Sequence, residues 1–416
     1  MSTNSIWNIL LCKFSDIPTE PHLPNFYEDL FTDSGNGNQN MVDFFREMSH
    51  GTIDIGQSRV FGWITLNHSS TEVTSGNRGK ILEWARKAAV DNGIHLGTTE
   101  GLAVILNDTA QTFAYVSTRE CVLDNAGWFP SIAGQEMGHG YGLQHSRLDG
   151  NAGDYKDQWD IMSTWSAYWT THPEYIHIGP GLNAANMKNV GWIDMSRVWE
   201  NGKSEVDTEM ELRPLHQRQL PGYLAAFLND YYWIEFRVKE GWDLGIPRPT
   251  VLVHYLLGGY SYLVKDTKGN KEGTKGSAYF SDPPPDPFPG RWKEQPLFQV
   301  KILDIDPVAM IARISIKSKH GKLWRLGAKR VSRGVMTDGG GWVIIGNKIV
   351  HVPPRNPLYN VINSVSNVFS ADRLKNVKAK RSVRQKAYEN IMKAAREEIE
   401  HLHFPGGISK RKKKGH

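Results

Sequence analysis

Eleven residues constrain this chain more than any other stretch: Gln135-Glu136-Met137-Gly138-His139-Gly140-Tyr141-Gly142-Leu143-Gln144-His145. Set on a helix, Gln135 and His139 stand four residues apart and project from one face, so both can reach a single ion. Glu136 sits one position round, able to touch a water on that ion without being a ligand. Gly142 permits a backbone turn that a side chain would resist, and that turn would carry His145 back towards the same point as a third ligand. Three protein ligands with a fourth position open are what a catalytic zinc requires. The neighbouring carboxylate then serves as general base for a metal-activated water. Asp160-Ile161-Met162-Ser163 follows, with Met162 17 residues beyond His145.

This pattern resembles the metzincin metallopeptidases, whose signature is H-E-x-x-H-x-x-G-x-x-H followed by a Met-turn. Glu136, His139, Gly142 and His145 match the signature, and Asp160–Ser163 is similar to the Met-turn, with Met162 expected beneath the metal. Within that clan the chain is most similar to the gametolysin-like peptidases and related secreted bacterial metallopeptidases. Supporting stretches are Asp43–Gly56, Asn183–Ile193 and Tyr231–Tyr255, and the likeness covers residues 6–320. It departs at Gln135, which stands where the first histidine belongs. A carboxamide oxygen is a neutral, harder and weaker ligand than imidazole. The gametolysin-like group includes members with glutamine here, which implies that the change need not abolish metal binding, the ion being zinc or else copper or another divalent ion. Metzincins of the astacin and serralysin types place a tyrosine two residues after the Met-turn methionine; Thr164 stands there, so no such tyrosine is expected.

The rest of the chain frames this site. Ile6–Phe14 reads as a buried strand, with turn residues from Ser15 to Pro24. Asn40 can cap a helix with Met41, Phe44, Phe45 and Met48 on one face. Ile81, Trp84, Ala85, Ala88 and Ala89 line a second helix that Gly93 stops. Leu102–Leu106 is another short strand, and the active-site helix is expected near Ile132–Tyr141. Beyond residue 200 the texture turns β-rich: Tyr232–Val238, Val251–Leu256, Tyr260–Val264, Phe298–Ile302 and Met310–Ile316 are short runs between Gly and Pro turns, as in an antiparallel sandwich. The loop Asp282–Gly290 holds five prolines, and Gly341–Val352 reads as a hairpin turning at Gly346-Asn347.

Charge is unevenly placed. Of the net +5, residues 371–416 supply +9, from 14 Lys/Arg against 5 Asp/Glu, leaving −4 for the rest. That region reads as a charged helix over 371–403 with a cationic end at Lys410–Lys414. It is either a solvated tail or a surface for an acidic partner; nucleic acid is not an expected partner. Cys12 and Cys121 allow one bridge or two buried thiols. No run of 18 apolar residues exists, so no membrane span is expected. Met1–Asn8 lacks the basic start and apolar stretch of a secretory signal, although the resemblance implies an extracellular protein.

The expected architecture is therefore α+β: a metzincin-like catalytic domain over 1–202, a β-sandwich over 203–320, a hairpin extension over 321–370 and a basic helical tail over 371–416. The expected activity is hydrolysis of peptide bonds in protein or peptide substrates, with His139, His145 and Gln135 holding the ion and Glu136 as general base. Rival readings are a pseudo-peptidase that binds peptide without a competent ion, an effector whose basic tail seeks an acidic partner, and a plain buried helix with two satisfied histidines. His68, His95, His172 and His177 are candidates to replace the missing imidazole, His172 and His177 foremost because they follow the Met-turn soonest.

Overall fold

An apolar strand without polar alternation has to be covered on both faces, and Trp-Asn-Ile-Leu-Leu-Cys-Lys is such a strand. In the computed structural model it is β1 (Trp7–Lys13), followed by α1 (Pro24–Phe31), α2 (Met41–Met48), β2 (Arg59–Thr65), α3 (Lys80–Asp91), β3 (Gly101–Leu106), β4 (Phe113–Tyr115), β5 (Glu120–Leu123) and α4 (Pro130–Gly140). The structure describes residues 3–109, 111–202, 204–280 and 298–318, with short strands at 336–337, 340–345 and 348–352.

The first sheet has the order β2-β1-β3-β5-β4; its first four strands are parallel, and β4 runs antiparallel along the edge. Successive residues of β1 face opposite sides, as strand geometry requires. Leu10 and Cys12 pack with Ile81, Ala85 and Ala89 of α3. Ile9 and Leu11 share the other core with Tyr27, Phe44 and Met137, from α1, α2 and α4. Cys12 lies in the first of these cores and Cys121 in the second, both buried and free, so the sheet itself keeps them from bridging.

Local signals explain the helices. Asn40 Oδ1 accepts from Asp43 N at 3.0 Å and starts α2, and Gly93, at φ +72°, follows the end of α3. α1 was not expected: Pro24, read as turn, is instead at the first helical position, where its missing N–H goes unused.

The second half adds β6 (Arg147–Leu148), β7 (Asn151–Asp154), α5 (Ala184–Asn189), β8 (Val198–Glu200), β9 (Val206–Leu212), β10 (Ala225–Leu228), β11 (Tyr232–Arg237), β12 (Thr250–Leu257), β13 (Tyr260–Leu263), β14 (Ala278–Phe280), β15 (Phe298–Asp306) and β16 (Ile311–Ser318). Seven of these strands form one sheet, β8-β10-β11-β12-β13-β6-β7, and four form another, β9-β16-β15-β14. Tyr279 Oη donates to Val251 O at 3.2 Å between the two sheets, and the Tyr232 and Phe298 rings meet at 4.4 Å. The chain is thus mixed α and β.

A boundary at residue 202 has to be corrected. β6 pairs with β13, Leu148 opposite Leu263, and β8 pairs with β10, Val198 opposite Ala225, so strands from both sides of 202 complete one sheet. Residues up to Phe280 and from Phe298 to His320 accordingly form one compact unit. In the other unit the strands Gly340–Ile345 and Lys348–Val352 pair antiparallel with Ile345 opposite Lys348. The proline-rich loop 282–290, the turn residues 346–347, the helical expectation for 371–403 and the cationic end lie outside the described residues. No helix among the described residues is long and apolar enough to cross a membrane.

Candidate metal centre

Every residue of α4 is buried, and its small residues make that possible. A methyl group added at Gly134 would lie 2.6 Å from Ile161 Cδ1, and one at Gly138 would lie 3.0 Å from Met162 Sδ. The helix therefore sits directly on the Ile161–Ser163 turn, with Met162 fully buried against it. The helix ends at Gly140. Gly142 takes φ +100°, as expected for the sharp turn, and its N–H donates to His139 O at 2.8 Å.

That turn brings the two histidines together. His139 Nε2 and His145 Nε2 are 3.1 Å apart. Their other nitrogens fix the tautomers: His139 Nδ1 donates to Leu143 O at 2.7 Å, and His145 Nδ1 donates to Asp154 Oδ2 at 3.1 Å. A carbonyl and a carboxylate only accept, so both Nδ1 atoms carry the hydrogen. Both Nε2 atoms then present lone pairs to each other. Two facing lone pairs repel unless a proton or a metal ion lies between them, and this outer-shell pattern is one that orients histidine ligands on metals. Burial pushes His139 down to about 4, so it is neutral near pH 7, as a ligand must be. Burial works to raise Asp154, but hydrogen bonds from Arg147 and His145 outweigh it and hold the carboxylate below its ordinary range. Arg147 Nε donates to Asp154 Oδ1 at 2.7 Å.

Glu136 is 6% exposed, and burial pushes it up to about 7 against the opposing hydrogen bond from Gln135 and the charge of Arg78. Gln135, expected as a ligand, has both ends of its amide engaged. Its Oε1 accepts from Thr164 N at 3.0 Å and its Nε2 donates to Glu136 Oε1 at 3.1 Å. Turning the amide over would set an N–H against an N–H, so both ends are committed to the Met-turn and the carboxylate. Nor does another of the histidines expected as candidates stand in for it among the described residues. His172 Nδ1 accepts from Tyr175 N at 3.0 Å, His177 stacks on Trp169 with centroids 3.8 Å apart, His68 pairs with Glu72 at 2.8 Å, and His95 is exposed. No cluster of three or more His, Cys, Asp or Glu suited to a metal occurs among the described residues. The chemistry of the two imidazoles suits a divalent cation.

No family model matches this chain, and no curated protein does. Among solved structures it is similar to wild-type OgpA from Akkermansia muciniphila in two crystal forms. In the P 21 21 21 form the identity is 13%, covering 84% of this chain and 92% of that one. In the P 41 21 2 form it is 13%, covering 84% and 93%. Both superpositions have a TM-score of 0.29, a likeness too loose to carry fold or function across.

Two residues at the centre went unread in the sequence. Asp154 closes β7 and orients His145. Tyr155, the next residue, places its hydroxyl 2.9 Å from His145 Nε2, with ring centroids 4.1 Å apart. Burial, then the charges of Glu136 and Asp154, push its phenol up to about 12. Behind the site the Met-turn is pinned by buried ions. Asp160 accepts from Met162 N at 2.7 Å and Asn183 N at 2.6 Å. Asp157 accepts from His254 Nε2 at 3.0 Å, Glu235 from Ala184 N at 2.6 Å, and Arg237 is fully buried between Glu235 and Asp243.

Proposed function

We propose that this chain is a metal-dependent endopeptidase that hydrolyses peptide bonds in protein substrates, with His139 and His145 holding the ion and Glu136 as general base. The observation that carries this reading is the pair of Nε2 lone pairs facing each other at 3.1 Å, each backed by an Nδ1 acceptor. The metzincin-like, gametolysin-like pattern of 135–163 supports it. A bound divalent ion, zinc or copper, would polarise the scissile carbonyl and make the attacking water more acidic.

Glu136 does the proton work. A carboxyl pushed up to about 7 is matched to take a proton from water and return it to the leaving amine near neutral pH. Gln135 Nε2 holds that carboxylate in place. Strand β4 forms the edge of its sheet alongside α4, and Ser117 N, just beyond it, donates to His139 O at 2.8 Å. An edge strand has no strand partner on one side, which suits an extended polypeptide laid across the site. The second reading, a peptide-binding pseudo-enzyme, is favoured by the want of a third imidazole.

Casein hydrolysis with and without chelator separates the two. The expected result is activity lost on chelation, restored by zinc, and reduced about 10²–10⁴-fold in Glu136→Gln while zinc content is kept. Full activity in Glu136→Gln, or none affected by chelation, would overturn the proposal; peptide binding without turnover would establish the second reading.

A further inference from the structure

Resting on the metal site proposed above, we infer that Tyr155 is its third protein ligand, making a set of two imidazoles and one phenolate for a single zinc or copper ion. Three observations converge. The hydroxyl lies 2.9 Å from His145 Nε2, which lies 3.1 Å from His139 Nε2. Donors about 2.0–2.1 Å from a tetrahedral ion stand about 3.3 Å from one another, and both of these distances lie within a few tenths of an ångström of that. Second, the position assigned to a first ligand by the resemblance is spent, because both ends of the Gln135 amide are held by Thr164 and Glu136.

Third, the backbone is bent to put the ring there. Tyr155 has φ +60°, a conformation bulky residues rarely take. It is held by Ser166 Oγ, which donates to Tyr155 O, and by Lys156 N, which donates to Ser146 O at 3.1 Å. Ser163 Oγ also donates to Ser146 O, at 3.1 Å, so the Met-turn and the Tyr155 bend share one support. On binding, the phenol gives its proton to solvent and its oxygen bonds to the cation. The resulting shell carries one negative charge from protein and leaves a position open for water and substrate.

The test uses the full chain, stripped of metal and titrated with zinc chloride by calorimetry and with copper(II) chloride by visible absorption. Wild type is expected to bind one ion, and the copper form to show a phenolate-to-copper charge-transfer band. Tyr155→Phe should lose that band and bind zinc at least about a hundredfold more weakly, the upper end of what outer-shell partners contribute. A melting curve of the metal-free variant matching wild type would confirm that its fold is intact. If His139→Ala and His145→Ala abolish binding while Tyr155→Phe keeps both zinc affinity and the band, Tyr155 is no ligand and the metal site itself stands. If wild type takes up neither ion, both this inference and the proposed function fall.

Discussion

Replacing Gln135 by alanine separates a brace from a ligand. In the structure Gln135 is 1% exposed and Thr164 5% exposed, so the variant leaves the Thr164 N–H buried without an acceptor. Such an orphan costs about 1–3 kcal/mol, and the lost bond to Glu136 about 1 kcal/mol more. The buried methylene adds about 0.8 kcal/mol. In all, Gln135→Ala should destabilise the metal-free protein by about 3–5 kcal/mol, a large share of the 5–15 kcal/mol typical of a folded domain. The melting temperature should fall on the order of 10 °C, read by near-ultraviolet circular dichroism after chelation. Zinc affinity should stay near wild type, because neither end of the amide contributes to the shell. The acidic limb of the pH–rate profile should also move upward, since the Gln135 hydrogen bond, together with the charge of Arg78, opposes burial at Glu136. A variant that melts like wild type without metal but no longer holds zinc would refute this reasoning and restore Gln135 as a ligand.

Two further outcomes are expected. Asp154→Asn removes the carboxylate that orients His145 Nδ1, so zinc should bind about 10–100-fold more weakly, while the metal-free melt changes little because Asp154 is partly exposed; unchanged zinc affinity would count against the tautomer assignment. Acid should loosen the fold through His50, whose Nδ1 accepts from Asp194 N at 3.1 Å and whose Nε2 donates to Leu215 O at 3.1 Å. Burial, then the charge of Arg218, pushes His50 down to about 4. Its contribution is therefore complete above about 6.5, the ordinary histidine value, and is lost as pH falls towards 4, by up to about 1.4 kcal/mol per pH unit. Denaturant titrations at pH 7.5 and 5 should show this loss in the wild type and a smaller one in His50→Gln; equal losses would exclude His50 as the source.

Much of the frame was legible because its signals are local. Asn40 before Met41 and Gly93 after Asp91 mark helix ends by hydrogen-bonding and backbone chemistry that needs no partner strand. The pairing of Glu136 with His139 and the turn at Gly142 are equally local, and the structure brings His139 and His145 together as the spacing requires. The fate of Gln135 was not readable, since it depends on Thr164, 29 residues away, offering an N–H at the right place. Asp154 and Tyr155 were hidden for a similar reason: only the β6–β7 reversal carries them back to His145, and nothing in Gly-Asp-Tyr-Lys announces a positive φ. The change in texture near residue 200 was real but marked a gain in strands, not a break, because strands from both sides finish the same sheet.

The ionic cluster behind the Met-turn bears on how such a chain can change over time. Arg237 sits on β11, yet it pairs with Glu235 and Asp243, and its charge opposes the burial and the Asp157 charge that push Asp160, beside Met162, up to about 6. Exchanging the strand-rich half for an unrelated one would leave Asp157 and Asp160 in the interior with no cation opposite. The two halves are therefore not interchangeable modules: a change of buried charge in one calls for a matching change in the other.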